Sequence, residues 1–385
     1  MDISRLFELP DEPGQSVFLW GPRKTGKSTW IRAHLEDFLL VDLLKSQLYY
    51  EYSTQPQLLG QRISALTQHP SWIVIDEIQR IPALLDEVHW LIENRGARFL
   101  LTGSSARKLR RGQANLLGGR AWRREMRPLC MGELADHSVD LVQWFVKGML
   151  PSHFLSRRPA EHLRAYVGDY LKEEVAAEAL TRNLPAFGEF LRVAALCNGE
   201  LLNLENVARE VGVSARAVAN YFDILVDTLL GERLPAYRQS LNRRLIRSDK
   251  FYLFDVGVCN YLARRTPQPG TSEFGKSLEH LVWMELKAFI SYRQPELEMR
   301  YWRSASGFEV DFVLDDLVAI EVKSGRVHST DLKGLTALAD DGAIRKRLVV
   351  CLEPQPKRLQ DGHGQVECLP LEDFVARLWA GDLLP

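Results

Sequence analysis

Several absences narrow this sequence before any motif is read. Cysteine is sparse: Cys130, Cys197, Cys259, Cys351 and Cys368 are scattered, with no C-x-x-C pair. That argues against a zinc site or a disulfide framework and suits a reducing compartment. No apolar run approaches the roughly 20 residues that span a bilayer. Met1 to Pro10 is charged along its length and lacks the apolar core of a signal peptide, so a cytoplasmic chain with no membrane partner is expected. Charge of one sign is missing too, with 49 basic against 50 acidic side chains. Any surface for nucleic acid must therefore be local. The length of 385 residues leaves room for two or three domains, each with its own core.

What is present begins at Val17–Trp20, an apolar run that stops at Gly21. The segment Gly21-Pro22-Arg23-Lys24-Thr25-Gly26-Lys27-Ser28-Thr29 follows, and then a helical pattern through Ile31 and Leu35. Strand, glycine loop and helix in that order make a phosphate cradle. Glycines let backbone N–H groups turn onto the phosphates, Lys27 reaches the β/γ-phosphates, and Ser28 offers its hydroxyl to Mg²⁺. The helix aims its positive end at the anion. ATP with Mg²⁺ is the expected ligand.

Lys45 to Thr67 reads as helix. Trp72-Ile73-Val74-Ile75 is a buried-strand pattern delivering Asp76 and Glu77 at its end, where ligands of open parallel sheets gather. Asp76 suits the Mg²⁺ shell, and Glu77 the polarisation of attacking water. Arg98–Thr102 is a further strand, running into Gly103-Ser104-Ser105. Ser104 or Ser105 contacts the γ-phosphate or lytic water, or else closes a turn. From Arg98 to Arg127 the chain is basic, with Arg107, Lys108, Arg110, Arg111, Arg120, Arg123, Arg124 and Arg127 against Glu125. An arginine acting in trans, a solvated face and a phosphate-backbone contact all fit that run.

Four stretches in order, GPRKTGKST, IVIDEIQRIP, FLLTGSSA and GGRAWRREMRPLCMGEL, resemble the prokaryotic AAA+-type ATPases of the archaeal-ATPase group. The resemblance implies that Arg120 is the trans-acting arginine, and hence a homo-oligomer.

The middle is helical from His137 to Asn183, with one apolar stripe through Leu163, Tyr166, Val167, Tyr170, Leu171 and Val175 that is core. From Phe190 the rhythm is helix, short helix (Leu204 to Val211), Gly212 turn, and a helix capped by Ser214. That is the helix-turn-helix pattern. Glu232 to Asp249 reads as its wing, carrying Arg238, Arg243, Arg244 and Arg247, with Lys250 beside them. Arg216 and Asn220 suit a DNA groove, whereas Asp223 and Asp227 oppose phosphate; a structural spacer is the other reading.

In the last third, Phe308–Leu314 and Val318–Lys323 alternate about an acidic turn. A turn centred on Asp316 pairs Asp311 with Glu321 and leaves Lys323 on their face, opposite Phe312, Leu314, Ile320 and Val322. Two carboxylates and a lysine suit metal-assisted phosphodiester hydrolysis with Mg²⁺ or Mn²⁺. A salt-bridge cluster is the plainer reading. With a helix carrying Glu279 upstream, the set resembles the PD-(D/E)XK nuclease fold, which implies that Glu279 joins Asp311 and Glu321 at the metal. The signature's proline is absent, since Val310 precedes Asp311. FYLFDVGVCNYL, GKSLEHLVWMEL, YWRSASGFEVDFVL and AIEVKSG also resemble the uncharacterised domain usually fused to these ATPases.

The expected architecture is α/β: a P-loop AAA+-like parallel-sheet domain at 1–130, a helical region at 131–187, a winged helix at 188–250, and a PD-(D/E)XK-like α/β domain at 251–385. Two functions fit it. One is an ATP-hydrolysing enzyme that acts on nucleic acid, DNA more than RNA, and cuts it. The other is an ATP-dependent switch whose nuclease-like domain binds without cutting.

Overall fold

The computed structural model describes residues 3–10, 12–105, 117–170, 183–237, 245–342 and 344–384. They fall into two compact units, Ser4–Pro128 with Asp227–Leu230, and chiefly Leu129–Val226 with Gly231–Pro385. Among the described residues no helix is long and apolar enough to cross a membrane.

The first unit runs β1 (Ser16–Trp20), α1 (Lys27–His34), β2 (Phe38–Asp42), α2 (Ser46–Thr54), α3 (Leu58–Ser64), β3 (Trp72–Asp76), α4 (Leu84–Arg95), β4 (Phe99–Gly103) and β5 (Ala121–Glu125). All five strands are parallel, in the order β2-β3-β4-β1-β5. The continuous apolar runs are explained by burial on both faces. Phe18, Ile73, Ile75, Phe99 and Leu101 enter one core, while the alternate residues Val17, Leu19, Val74 and Leu100 are also fully or almost fully covered. The single helix expected over Lys45–Thr67 is two, α2 and α3. Pro56 forces the break: Gln55 before it is held at φ −140, ψ 74, outside the helical region.

The second unit opens with helices α5 (Leu141–Lys147), α6 (Pro151–Phe154), α7 (Pro159–Ala165), α8 (Leu184–Leu196), α9 (Leu204–Val211) and α10 (Ala215–Asp227). Leu163 and Tyr166 of the expected stripe are buried; the side chains of Tyr170, Leu171 and Val175 lie outside the described residues. α9 stops at Gly212, whose φ of +74 is the left-handed conformation that ends a helix. Ser214 Oγ then accepts the Ala217 N–H at 3.2 Å and starts α10. A hairpin follows, β6 (Gly231–Leu234) antiparallel to β7 (Lys250–Leu253). Arg238, Arg243 and Arg244 lie outside the described residues.

The rest comprises α11 (Val256–Leu262), α12 (Ser272–Arg293), β8 (Met299–Arg303), β9 (Glu309–Leu314), β10 (Val318–Lys323), α13 (Lys333–Asp341), β11 (Lys346–Cys351), β12 (Lys357–Asp361), β13 (Gly364–Pro370) and α14 (Leu371–Ala380). The sheet order is β12-β13-β11-β10-β9-β8, with β10, β11 and β13 parallel and the outer pairings antiparallel. α12 covers one face with Leu278, Leu281 and Val282 against Phe312, Ile320 and Val322. α13 covers the other, with Leu335 and Leu338 against Val313, Ala319 and Val349.

Candidate functional site

The first site lies at the C-terminal ends of β1, β3 and β4. Gly26, at φ +95, turns the loop into α1, and a side chain at Gly21 would meet the Met126 carbonyl oxygen at 2.4 Å. Lys27 is buried, and its ammonium donates to the loop carbonyls of Gly21 at 2.6 Å and Pro22 at 3.1 Å. Thr25 Oγ1 donates to Pro22 O at 2.8 Å, closing the loop on itself. Arg23, Lys24 and Thr29 are exposed around it. Ser28 Oγ donates to Asp76 Oδ2 at 3.1 Å, so the hydroxyl and carboxylate expected to share Mg²⁺ are brought together.

Glu77 is buried with φ +61, a left-handed backbone that costs a residue with a side chain about 1–2 kcal/mol. That turn aims its carboxylate at Ser104 Oγ, 3.3 Å away, and at the Gln79 amide, which donates to the same oxygen. Thr102 Oγ1 donates to Asp76. Sequence reasoning missed Gln79 and Thr102. Their signal was proximity to the acidic pair and a polar position inside an apolar strand. Arg120 is not brought to this pocket in its own chain. It precedes β5, which pairs with β1, and so sits at the N-terminal end of the parallel strands, opposite the end that holds the phosphate loop, where it is ion-paired with Glu93. Arg107, Lys108, Arg110 and Arg111 lie outside the described residues.

The second site lies on the β9–β10 hairpin. The pairs Leu314↔Val318 and Phe312↔Ile320 fix a register that sets Asp311 opposite Glu321. Lys323 Nζ donates to Glu321 Oε1 at 2.6 Å, and Asp311 Oδ2 accepts the Val322 N–H at 2.8 Å. Glu279 arrives from α12. These residues, with Lys250, Glu309 and the Lys276–Glu200 pair, line a polar cavity of about 270 Å³.

Neither face of the hairpin is open to solvent, contrary to what one apolar face and one polar face suggest. α13 covers Val313 and Ala319 on the second face, while Asp311 and Glu321, in the cavity with Glu279 of α12 and Lys250, are each only 8% exposed. Burial, with Glu321 and Glu279 nearby, drives the Asp311 carboxyl well above its ordinary range. Burial also lifts Glu321 to about 7 against the pull of Lys323. Glu321 Oε2 is buried without a hydrogen-bond partner. Such an oxygen fits a cation. Even so, among the described residues no group of three or more His, Cys, Asp or Glu is spaced to hold a metal ion.

Lys250 is a correction to the sequence reading, which grouped it with the basic wing. It is buried at the start of β7, with Nζ 2.6 Å from Glu309 Oε1 and 3.5 Å from Glu279 Oε1. Burial opposes its charge, but Glu279, Asp311 and Glu309 outweigh that and raise its pKa. Tyr252 Oη donates to Glu279. Lys250, Tyr252 and Glu309 escaped detection because the signal, a lysine opening the apolar run Phe251–Phe254, looks like the last residue of a charged loop.

On α10, Arg216 and Asn220 are exposed, as is Arg247 in the segment expected to form the wing. Asp223, which opposes phosphate by charge, is paired with Arg233 at 2.9 Å.

Residues 14–135 match the model of an AAA domain, and residues 138–269 and 274–374 match two domains of unknown function, DUF8612 and DUF4143. No nuclease-specific signature is among these matches. Uncharacterized proteins of Mycobacterium bovis and Mycobacterium tuberculosis are each 25% identical over 378 residues, covering 96% of this chain and 80% of each relative. Among solved structures, the Aeropyrum pernix ORC2 protein in its ADP form aligns at 12% identity and a TM-score of 0.30, over 57% of this chain and 81% of that one. By the family-model match alone, residues 14–135 form an AAA-type domain, followed by two uncharacterised domains.

Proposed function

We propose that this protein hydrolyses ATP and acts on DNA through a metal-dependent phosphodiesterase pocket formed by Asp311, Glu321 and Lys323. The observation that carries the second half is the buried, partnerless Oε2 of Glu321 beside Asp311. Two close carboxylates kept out of water are unfavourable unless a cation completes them.

In the ATPase domain, the loop amides and Lys27 bind the phosphates, and Lys27 exchanges its carbonyl partners for them. Ser28 and Asp76 would hold Mg²⁺. Glu77 takes the proton of the attacking water, with Ser104 and Gln79 fixing its carboxylate. In the other pocket, Asp311 and Glu321 would hold a divalent ion, which supplies charge neutralisation at the scissile phosphate. Lys323, anchored on Glu321, presents its ammonium to the phosphate or the nucleophile. The exposed Arg216, Asn220 and Arg247 offer a non-specific contact to the DNA backbone.

The test is incubation of the purified protein with plasmid, linear and branched DNA, with Mg²⁺ or Mn²⁺, with and without ATP. Cleavage that is lost in Asp311→Ala supports the proposal. No cleavage under any condition favours a second reading, an ATP-dependent switch with a non-cleaving C-terminal module. What supports that second reading is Lys250, which already neutralises part of the carboxylate set.

A further inference from the structure

Five carboxylates line the cavity; Glu200 is paired with Lys276 at 2.8 Å, and the other four divide into two sets. Glu279 and Glu309 are already engaged. Lys250 Nζ lies 2.6 Å from Glu309 and 3.5 Å from Glu279, Tyr252 Oη donates to Glu279, and Arg303 lies 3.1 Å from Glu309. Asp311 and Glu321 form the other set. Lys323 takes one oxygen of Glu321 and leaves the second buried without a partner. Lys250 itself is 3% exposed, so its charge is held by these carboxylates and not by water.

The geometry points to a pocket built for a single divalent cation, in which Lys250 is a resident cation filling the place of a second ion. This rests on reading the pocket as a metal site. An ammonium within hydrogen-bond distance of Glu309 and Glu279 satisfies the oxygens a second ion would need. A further positive ion beside it in a buried site would meet strong repulsion. Only the Asp311–Glu321 side is left to receive a metal. Glu279 is then a positioning residue, holding Lys250 and Tyr252, and not a metal ligand. The same division accounts for the lack of a three-carboxylate metal cluster among the described residues.

Calorimetric titration of the full-length, nucleotide-free protein with Mn²⁺ tests this, counting only ions lost in Asp311→Ala. One ion per chain is expected. Glu279→Gln should keep its Kd within about threefold, whereas Glu321→Gln should weaken it on the order of tenfold or more. Lys250→Met frees Glu279 and Glu309, so the total number of ions bound should rise by one over the wild type. If Lys250→Met does not fold, the wild-type count and the contrast between Glu279→Gln and Glu321→Gln decide the matter. Two ions in the wild type overturn the inference, as does equal weakening by the two glutamate variants. Absence of any ion removes the metal reading itself, and the single-ion pocket with it.

Discussion

Ser28 Oγ lies 3.1 Å from Asp76 Oδ2, joining the start of α1 to the end of β3 across the sheet edge. A hydroxyl and a carboxylate held that close would supply two hard oxygen donors to a Mg²⁺ ion, with phosphate and water as the remaining ones. Glu77, one residue on, has a different set of partners and therefore a separable role.

Lys27→Ala should abolish ATP binding, because no other side chain can take its place on the β/γ-phosphates. Glu77→Gln should bind ATP normally, since Ser28 and Asp76 are untouched, and turn over at least about a hundredfold more slowly. Fluorescent-nucleotide binding and phosphate release measure the two effects. Near-wild-type turnover in Glu77→Gln would remove it from the base role.

Arg120 is half-exposed, precedes β5 at the end of the sheet opposite its own phosphate loop and is paired with Glu93. If it serves a neighbouring chain, ATPase activity per chain rises with protein concentration. Mixing Arg120→Ala with Lys27→Ala should then restore some turnover. A monomer in sedimentation with concentration-independent activity would end that role.

For the hairpin pocket, Mg²⁺ or Mn²⁺ should raise the thermal midpoint of the wild type and leave Asp311→Ala unmoved. Asp311→Ala, Glu321→Ala and Lys323→Ala should each eliminate any DNA cleavage while ATP hydrolysis continues.

Glu285 gives a pH prediction away from both pockets. It is buried on α12 and accepts from Met131 N–H at 2.6 Å, Gly132 N–H at 3.0 Å and Trp379 Nε1–H at 2.5 Å. Burial lifts its carboxyl from 4.5 to about 7 despite those donors. A raised folded pKa means the folded state holds the proton more tightly than the unfolded chain. Its contribution to stability is therefore complete below about 4.5 and is lost as pH rises through about 7. Denaturant unfolding at pH 5 and pH 8 should show a wild-type loss that Glu285→Gln reduces by on the order of 3 kcal/mol. An identical pH dependence in the two proteins would contradict it.

The nucleotide loop was legible because it is local. Gly21, Gly26, Lys27 and Ser28 act within one strand–loop–helix unit, and the glycines declare the turn. The hairpin register was legible for the same reason, since alternation about Asp316 leaves one pairing that keeps Phe312, Leu314, Ile320 and Val322 together. Pro56 also declared itself, and its break in the helix over Lys45–Thr67 was open to being read.

Tertiary structure decided what alternation alone does not specify. Periodicity marks which residues share a face, but not whether a second layer covers that face. α13 does so here over Val313 and Ala319, and the cavity that Glu279 and Lys250 complete from other elements holds Asp311 and Glu321 as buried carboxylates with raised pKa values. Lys250 was invisible for a related reason. Its partners Glu279 and Glu309 lie 29 and 59 residues further along the chain, and a charge at the end of a basic loop is solvated until the fold closes over it. The chain sequence by itself determined which chemical groups each element carries; packing at long range determined which of them share a dielectric, and so which are acids, cations or partners.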